Sequence, residues 1–147
     1  KMGGTIDLTC GESESKFHSV ADAVKKAKKE GVPMEKVTMS SDGQGSWSNY
    51  DTEGKLVEIG VSDVDTIYRQ IVYMVKEENM DLEELLALGT KNPAMALELY
   101  PKKGAVKEES DADILIMNED LSLDTVIAMG VPMMRDGKIL KKGTYEK

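Results

Sequence analysis

Asp42 is the strongest candidate for a catalytic or metal-binding residue, because of its residue type and its position. It ends an alternating segment, Val37–Asp42, and Gly43 and Gly45 follow it closely. Glycines let a ligand approach the backbone, and a carboxylate at a strand end can act as a general base or ligate a metal. One carboxylate cannot hold a divalent ion alone. It is equally open that Asp42 only caps a turn or a following helix.

Histidine and cysteine, the usual zinc ligands, occur once each, as His18 and Cys10. No H-x-H, H-E-x-x-H or C-x-x-C spacing is present, so this chain by itself cannot assemble an ordinary zinc site. Nothing in the pattern brings Cys10 and His18 together as nucleophile and base. A lone cysteine excludes a disulfide within the chain and points to a reducing compartment, so we expect a cytoplasmic protein.

Charge and hydrophobicity exclude several classes of protein. The 147 residues carry 19 Lys+Arg against 27 Asp+Glu, a formal net charge of -8, and 40% are hydrophobic. This composition is typical of a globular protein and too apolar for a disordered acidic tail. Net acidity and the scarcity of arginine argue against a nucleic-acid partner. The apolar runs are far shorter than the roughly 20 residues that span a membrane, which argues against a membrane partner.

Two strands joined by a helix must position Asp42. Thr5–Cys10 and Val37–Asp42 both alternate, and Ser19–Glu30 has helical spacing. The lysines of this helix favour a solvated face over a phosphate patch. Both strands carry small polar residues opposite their apolar face, whereas a strand covered by helices on both sides is apolar on both. The pattern predicts a βαβ unit of a (β/α)₈ barrel with the site at its polar mouth.

The rest of the chain divides into a helical part and a strand-rich part, with the boundary near residues 101–104. Residues 47–61 are predicted as a polar loop with a turn at Glu53-Gly54. Three helices are predicted next, from Ser62 in an S-x-x-D capping pattern, over Asp81–Leu88, and from Asn92-Pro93 to about Tyr100. The predicted strands are Ala105-Val106, Asp113–Met117, Thr125–Met129, Pro132–Arg135 and Ile139–Leu140, with a hairpin turn at Asp136-Gly137.

The loop that carries Asp42 resembles that of a known family. Val37–Ser46, followed by an acidic-Gly turn and Ile59-Gly60-Val61, resembles the last barrel strand and loop of isoaspartyl (β-aspartyl) dipeptidases, which belong to the metal-dependent amidohydrolase superfamily. The S-S-D-G-x-G-S run is fairly specific to these enzymes. Three further segments resemble the family in the same order along the chain. Gly4–Thr9 resembles the penultimate barrel strand, and Asn92-Pro93-Ala94 resembles the start of the helix after the barrel. The tail of the β-domain is resembled by Asp111–Ile116, Asp136-Gly137 and Lys142-Gly143-Thr144.

The resemblance implies an α/β fold of two parts. Residues 1–103 would be the C-terminal part of an amidohydrolase TIM barrel, with its last two strands and trailing helices. Residues 104–147 would be strands of a small β-sandwich domain. The implied activity is hydrolysis of β-aspartyl dipeptides by two zinc ions. Asp42 would be the catalytic carboxylate that takes a proton from the bridging hydroxide and delivers it to the leaving amine, and Ser46 would contact the carboxylate end of the substrate.

Several parts of the family's site have no counterpart in this sequence. The histidine ligands, the bridging carbamylated lysine and the substrate-binding arginine of the family lie upstream of the matched region, and His18 matches none of them. The resemblance therefore assigns no metal ligand to this chain. Asp7 is expected only to line the barrel as a hydrogen-bond acceptor, and Ser110 replaces a glycine that is usual in the superfamily. We expect the chain to be the C-terminal piece of a larger protein.

Two alternatives stay open. The complete protein could be another amidohydrolase, of a dihydroorotase-like or deacetylase-like kind. Alternatively, the isolated chain is a non-catalytic assembly fragment, because two barrel strands without the other six leave open edges that favour association. We expect a homo-oligomer, and an isolated chain without activity.

Overall fold

Strands and helices in this chain follow its changes of hydrophobic period. The computed structural model describes residues 3–11 and 14–143, with the backbone alone for residues 14–18. The described strands are β1 (Ile6–Thr9), β2 (Val37–Ser40), β3 (Ser46–Tyr50), β4 (Leu56–Val61), β5 (Ile114–Met117), β6 (Leu123–Ala128), β7 (Val131–Arg135) and β8 (Lys138–Ile139). The described helices are α1 (Glu14–Lys29), α2 (Thr66–Lys76), α3 (Leu82–Gly89) and α4 (Lys91–Ala96), with a 3₁₀ turn at Met34–Lys36. None of the described helices has the length and apolar character needed to cross a bilayer.

The predicted βαβ unit is confirmed, since β1 and β2 pair in parallel and α1 connects them. On one face of this pair, Cys10, Val37 and Met39 are buried in a core shared with α1. Full burial of an aliphatic side chain contributes about 1.5–3 kcal/mol, so these residues decide which face meets the helices. The opposite face carries Asp7 beside its register partner Thr38.

Charged side chains cap α3 and join it to α1. The helix predicted over Asp81–Leu88 is α3; Asp81 is its N-cap rather than its first residue, and its Oδ1 accepts a hydrogen bond from the amide of Glu84 at 2.8 Å. Lys28 of α1 binds the Glu84 carboxylate at 2.6 Å, and Lys25 binds Glu78 at 2.5 Å. Part of the lysine run therefore holds helices together, while the lysine side chains remain exposed as the sequence indicates.

Two helices begin at other residues than predicted. The first, α1, begins at Glu14 and not at Ser19, and α2 begins at Thr66 and not at Ser62. The S-x-x-D pattern is not a helix cap, because α2 has Asp65 at its N-cap position without a side-chain cap, and the backbone amide of Ser62 donates to the carbonyl of Gly45 at 2.9 Å. Ser62 thus belongs to the hairpin that precedes the helix.

Asn92 lies inside α4 and is not its N-cap. The side chain is buried, and its Nδ2 donates to the carbonyls of Met34 and Val37, both at 2.8 Å. The predicted end at Tyr100 is also wrong, because the amide of Tyr100 turns back to the carbonyl of Ala94 at 3.0 Å. One side chain therefore ties α4 to the start of β2.

Residues 47–61, predicted as a polar loop, form most of the antiparallel hairpin β3–β4. The Trp47 ring covers Gly60, where a Cβ would lie 2.2 Å from ring atom Cζ2. The predicted turn at Glu53-Gly54 is confirmed, and Asp51 Oδ1 accepts hydrogen bonds from amides of that turn. The prediction of a loop was wrong because the serines and asparagine of β3 make its sequence polar, although they stand among aromatic residues that favour a strand.

The last four strands form one antiparallel sheet in the order β5-β6-β7-β8. The predicted turn at Asp136-Gly137 joins β7 to β8, and both residues have positive φ, 50° and 69°. Ala105-Val106 is irregular, since no described strand lies beside it to supply hydrogen bonds. The other four predicted strands are present, with bounds that differ from the predicted ones by one or two residues.

Lys103 connects the helical part to this sheet. Its Nζ lies 3.0 Å from Asp111 Oδ2 and also binds the Asp113 carboxylate. Asp113 in turn accepts a hydrogen bond from the amide of Met129 at 2.7 Å. The hydrogen bond from Lys103 and, less strongly, that from Met129 lower the pKa of Asp113, so the carboxylate stays ionised at neutral pH.

Candidate active site

The loop after β2 holds Asp42 in a strained backbone conformation. Asp42 has φ +49° and Gln44 has φ +65°, both in the left-handed region. Such a conformation costs a residue other than glycine about 1–2 kcal/mol, and aspartate adopts it more readily than most. Strained residues of this kind persist only where surrounding contacts hold them, and they are concentrated at functional sites.

Backbone hydrogen bonds fix this loop between β2 and β4. The amide of Gly45 donates to the carbonyl of Asp42 at 2.8 Å and closes the turn. The backbone amide of Gln44 donates to the carbonyl of Ser62 at 2.7 Å, and the backbone amide of Ser62 donates to the carbonyl of Gly45 at 2.9 Å. The sequence marked Ser62 only as a helix start and not as part of the site, because its partners lie in a distant segment. The loop is therefore closed at its base by a reciprocal pair of hydrogen bonds.

The Asp42 carboxylate lies over Gly45. A Cβ at position 45 would approach Asp42 Oδ1 to 2.6 Å, so this space requires glycine. The carbonyl of Asp42, and not its carboxylate, accepts the hydrogen bond that closes the turn. Among the described residues no donor binds the carboxylate, and the side chain is exposed. It is thus available to a proton or a ligand.

Asp7 joins β1 to β2 on the polar face below the loop. Its Oδ1 accepts a hydrogen bond from Thr38 Oγ1 and its Oδ2 accepts one from Ser40 Oγ, both at 2.6 Å. The expectation that Asp7 acts as a hydrogen-bond acceptor is therefore confirmed. Both donors precede Asp42 on β2.

Ser46 begins β3 at the other end of the loop, opposite Val61. Its side chain is exposed. A hydroxyl can donate a hydrogen bond to a carboxylate. The Ser46 hydroxyl lies four residues after Asp42 in the sequence, where the loop enters β3. The two residues singled out in the sequence thus share one loop.

The residues that the structure describes contain no group of three or more histidine, cysteine, aspartate or glutamate side chains able to hold a metal. The side chain of His18 lies outside the described part. Cys10 is buried, and burial, assisted by the charge of Asp7, raises the pKa of its thiol to about 12. A protonated, buried thiol is neither a nucleophile nor a metal ligand. The present residues therefore do not by themselves fit a zinc centre.

Among the cavities of the described part of the chain, three of about 520, 450 and 210 Å³ lie among the helices and the C-terminal strands. Asp42 and Ser46 line none of them. The largest lies beside Asn92 and Leu88, and the smallest is apolar and includes Tyr68 and Leu121. The side chains of Asp42 and Ser46 are both exposed at the surface of this chain.

Comparison with known proteins identifies close relatives of this fold. The amidohydrolase family model matches residues 1–140. The β-aspartyl dipeptidase of the thermophilic, keratin-degrading Fervidobacterium islandicum AW-1, solved in complex with a β-Asp-Leu dipeptide, is 34% identical over 98% of this chain, with a TM-score of 0.79. A second structure of the dipeptidase from that organism is 31% identical over 98% of this chain, with a TM-score of 0.69.

A more distant relative shares the fold alone. N-acetylglucosamine-6-phosphate deacetylase from Pasteurella multocida is 16% identical over 89% of this chain, with a TM-score of 0.63, and 37% of that enzyme is covered. The chain spans only about a third of the dipeptidases, 37% of one structure and 34% of the other. The resemblance to β-aspartyl dipeptidases that the motifs indicate is confirmed, and the chain belongs to the amidohydrolase family.

Proposed function

We propose that this chain is the C-terminal portion of an enzyme that hydrolyses the isopeptide bond of β-aspartyl dipeptides. The observation that carries the proposal is the strained, doubly anchored loop with an unpartnered carboxylate at the end of a parallel strand. The similarity to a dipeptidase solved in complex with β-Asp-Leu covers 98% of the chain.

Asp42 is the general base and then the general acid in this proposal. Its carboxylate takes a proton from the attacking water as the oxygen–carbon bond forms. It gives the proton to the leaving nitrogen as the carbon–nitrogen bond breaks, so that an amine departs. The exposed carboxylate supports this role, because no donor among the described residues occupies its oxygens. Ser46 donates its hydroxyl to the carboxylate end of the substrate.

Two zinc ions complete the proposed site, and they supply Lewis-acid activation of water and carbonyl when bound. Their ligands come from outside this chain, since the described residues offer no group of three ligands. We therefore propose that the isolated chain is inactive. The open polar face of β1 and β2 supports their place as the last two strands of a barrel, with residues 1–103 as the barrel part.

The remaining parts of the proposal concern the second domain and assembly. Residues 104–147 belong to a small β-sandwich domain, of which β5–β8 supply one sheet. The exposed apolar side chains Val57, Ile59 and Val61 of β4 support association of the complete protein into a homo-oligomer.

Replacing Asp42 in the complete protein tests the function. We expect Asp42→Asn to lower kcat for β-Asp-Leu by about 10²–10⁴-fold, because general acid–base catalysis contributes that much. Zinc content, measured by atomic absorption, should stay unchanged, because Asp42 moves protons in this scheme.

Glu53→Gln is the matched control, since it neutralises another exposed carboxylate at the far end of the hairpin. Near-normal turnover by Asp42→Asn would contradict the role of Asp42. A panel containing α-Asp-Leu, N-acetylated sugars and cyclic ureides tests the substrate class. Preference for either of the last two would favour a deacetylase-like or dihydroorotase-like enzyme instead.

A further inference from the structure

Asp7 holds the strand from which the Asp42 loop starts. Its Oδ1 accepts a hydrogen bond from the Thr38 hydroxyl and its Oδ2 accepts one from the Ser40 hydroxyl, both at 2.6 Å. We propose that Asp7 is a positioning residue: by holding these two hydroxyls it fixes the end of β2 and thereby the place of the Asp42 carboxylate. This inference rests on the proposed function, in which Asp42 moves the protons.

The two hydrogen bonds are of the strong, charge-assisted kind. Hydroxyl-to-carboxylate bonds of this type measure about 2.5–2.7 Å and are roughly twice as strong as neutral ones. Thr38 is buried, with 6% of its surface exposed, so one of the two bonds is shielded from water. The carbonyl of Ser40 also accepts a hydrogen bond from the amide of Cys10 at 2.8 Å. Both the side chain and the backbone of Ser40 are therefore attached to β1.

The loop needs such an attachment because it is strained. Its far end is fixed to β4 through Ser62, and its near end is fixed to β1 through Ser40. If the near end is released, the left-handed conformation of Asp42 can relax. A displacement of about 1 Å at a reacting group can lower a rate about 100-fold.

Substitutions in the complete protein separate positioning from general stability. We expect Asp7→Ala to lower kcat for β-Asp-Leu by about tenfold or more, with a change in KM below about threefold. Asp7→Asn should restore most of the rate, because an amide can accept one hydroxyl and donate to the other. Ser40→Ala should reproduce part of the loss, and the double variant should lose less than the product of the two, since both act through one contact.

Thr9→Ala is the control, because Thr9 is exposed on the same face of β1. A second readout does not depend on activity: amide hydrogen exchange at Gln44 and Gly45 should be faster in Asp7→Ala than in Thr9→Ala. Wild-type kcat and wild-type exchange in Asp7→Ala would overturn the proposal. A fall in kcat fully explained by less folded protein, measured by circular dichroism, would also overturn it.

The two proposals fail in different ways. If Asp42→Asn abolishes turnover while Asp7→Ala leaves it unchanged, the proposed function stands and the role of Asp7 is wrong. If the complete protein hydrolyses no β-aspartyl dipeptide, the proposed function fails. Faster exchange at Gln44 and Gly45 in Asp7→Ala would then still support its hold on the loop, and unchanged exchange would refute it.

Discussion

At the residue scale, the space above Gly45 determines where the Asp42 carboxylate can lie. A Cβ at position 45 would stand 2.6 Å from Asp42 Oδ1 and 2.8 Å from its carbonyl oxygen. We therefore expect Gly45→Ala to displace the carboxylate and to lower kcat of the complete protein by about 100-fold. Steady-state kinetics and a thermal melt of the same sample measure the loss and the folded fraction.

Gly4→Ala is the control for this substitution, since a Cβ at position 4 meets no atom within 4 Å. Equal activity of the Gly45→Ala and Gly4→Ala variants would show that the carboxylate does not depend on this contact.

The buried thiol of Cys10 makes stability sensitive to alkaline pH. Burial, with a smaller contribution from Asp7, raises the thiol pKa from 9.0 to about 12 in the folded protein. The unfolded thiol ionises first as the pH rises above 9.0, so the unfolded state is favoured and the free energy of unfolding falls between 9.0 and about 12. We expect Cys10→Ala to flatten this fall, as measured by melting temperature from pH 8 to pH 11. Parallel curves for the two proteins would contradict the assignment.

At the element scale, Asn92 joins α4 to the 3₁₀ turn and to β2. Its Nδ2 is a shared donor to the carbonyls of Met34 and Val37. Asn92→Ala removes a buried donor, and we expect it to lower the free energy of unfolding by about 1–3 kcal/mol. Asn92→Asp should lower the free energy of unfolding further, because a carboxylate oxygen would face two carbonyl oxygens. Urea unfolding provides the measurement.

Met95→Ala serves as the reference on the same helix, because half of the Met95 surface is exposed. An Asn92→Ala protein that unfolds at the same urea concentration as Met95→Ala would show that these carbonyls find other partners.

Local patterns predicted the elements that depend on local residues, and they failed where distant segments intervene. The alternation of β1 and β2, the periodicity of α3 and the Asp136-Gly137 turn are all signals within a few residues. Ser62 and Asn92 both resemble helix caps, but their partners lie at Gly45 and Val37, which no local pattern can indicate. The same limit applies to the site: the sequence identified Asp42 and its glycines, whereas its anchoring through Ser62 needed the fold.

At the scale of the whole molecule, the chain spans only about a third of the length of the dipeptidases it matches. It covers 37% of the dipeptidase from Fervidobacterium islandicum AW-1, and its described residues hold no metal-binding group. We expect the isolated 16.1 kDa chain to hydrolyse no β-aspartyl dipeptide and to associate through its open strand edges. Activity assays with added zinc and light scattering measure both properties.

Chelator-sensitive turnover by the isolated chain would refute the first half of this prediction. A scattering mass equal to that of one chain would refute the second half.

The backbone hydrogen bonds of Ser62 with Gln44 and Gly45 hold the Asp42 loop at the base of the β3–β4 hairpin, away from its tip. Since the two strands are joined at their base, we expect changes at the tip, residues 51–55, to leave the path of the chain near Asp42 in place. Exposed tips of this kind tolerate insertions. A longer or shorter hairpin tip, with new surface contacts, is therefore compatible with an unchanged Asp42 loop.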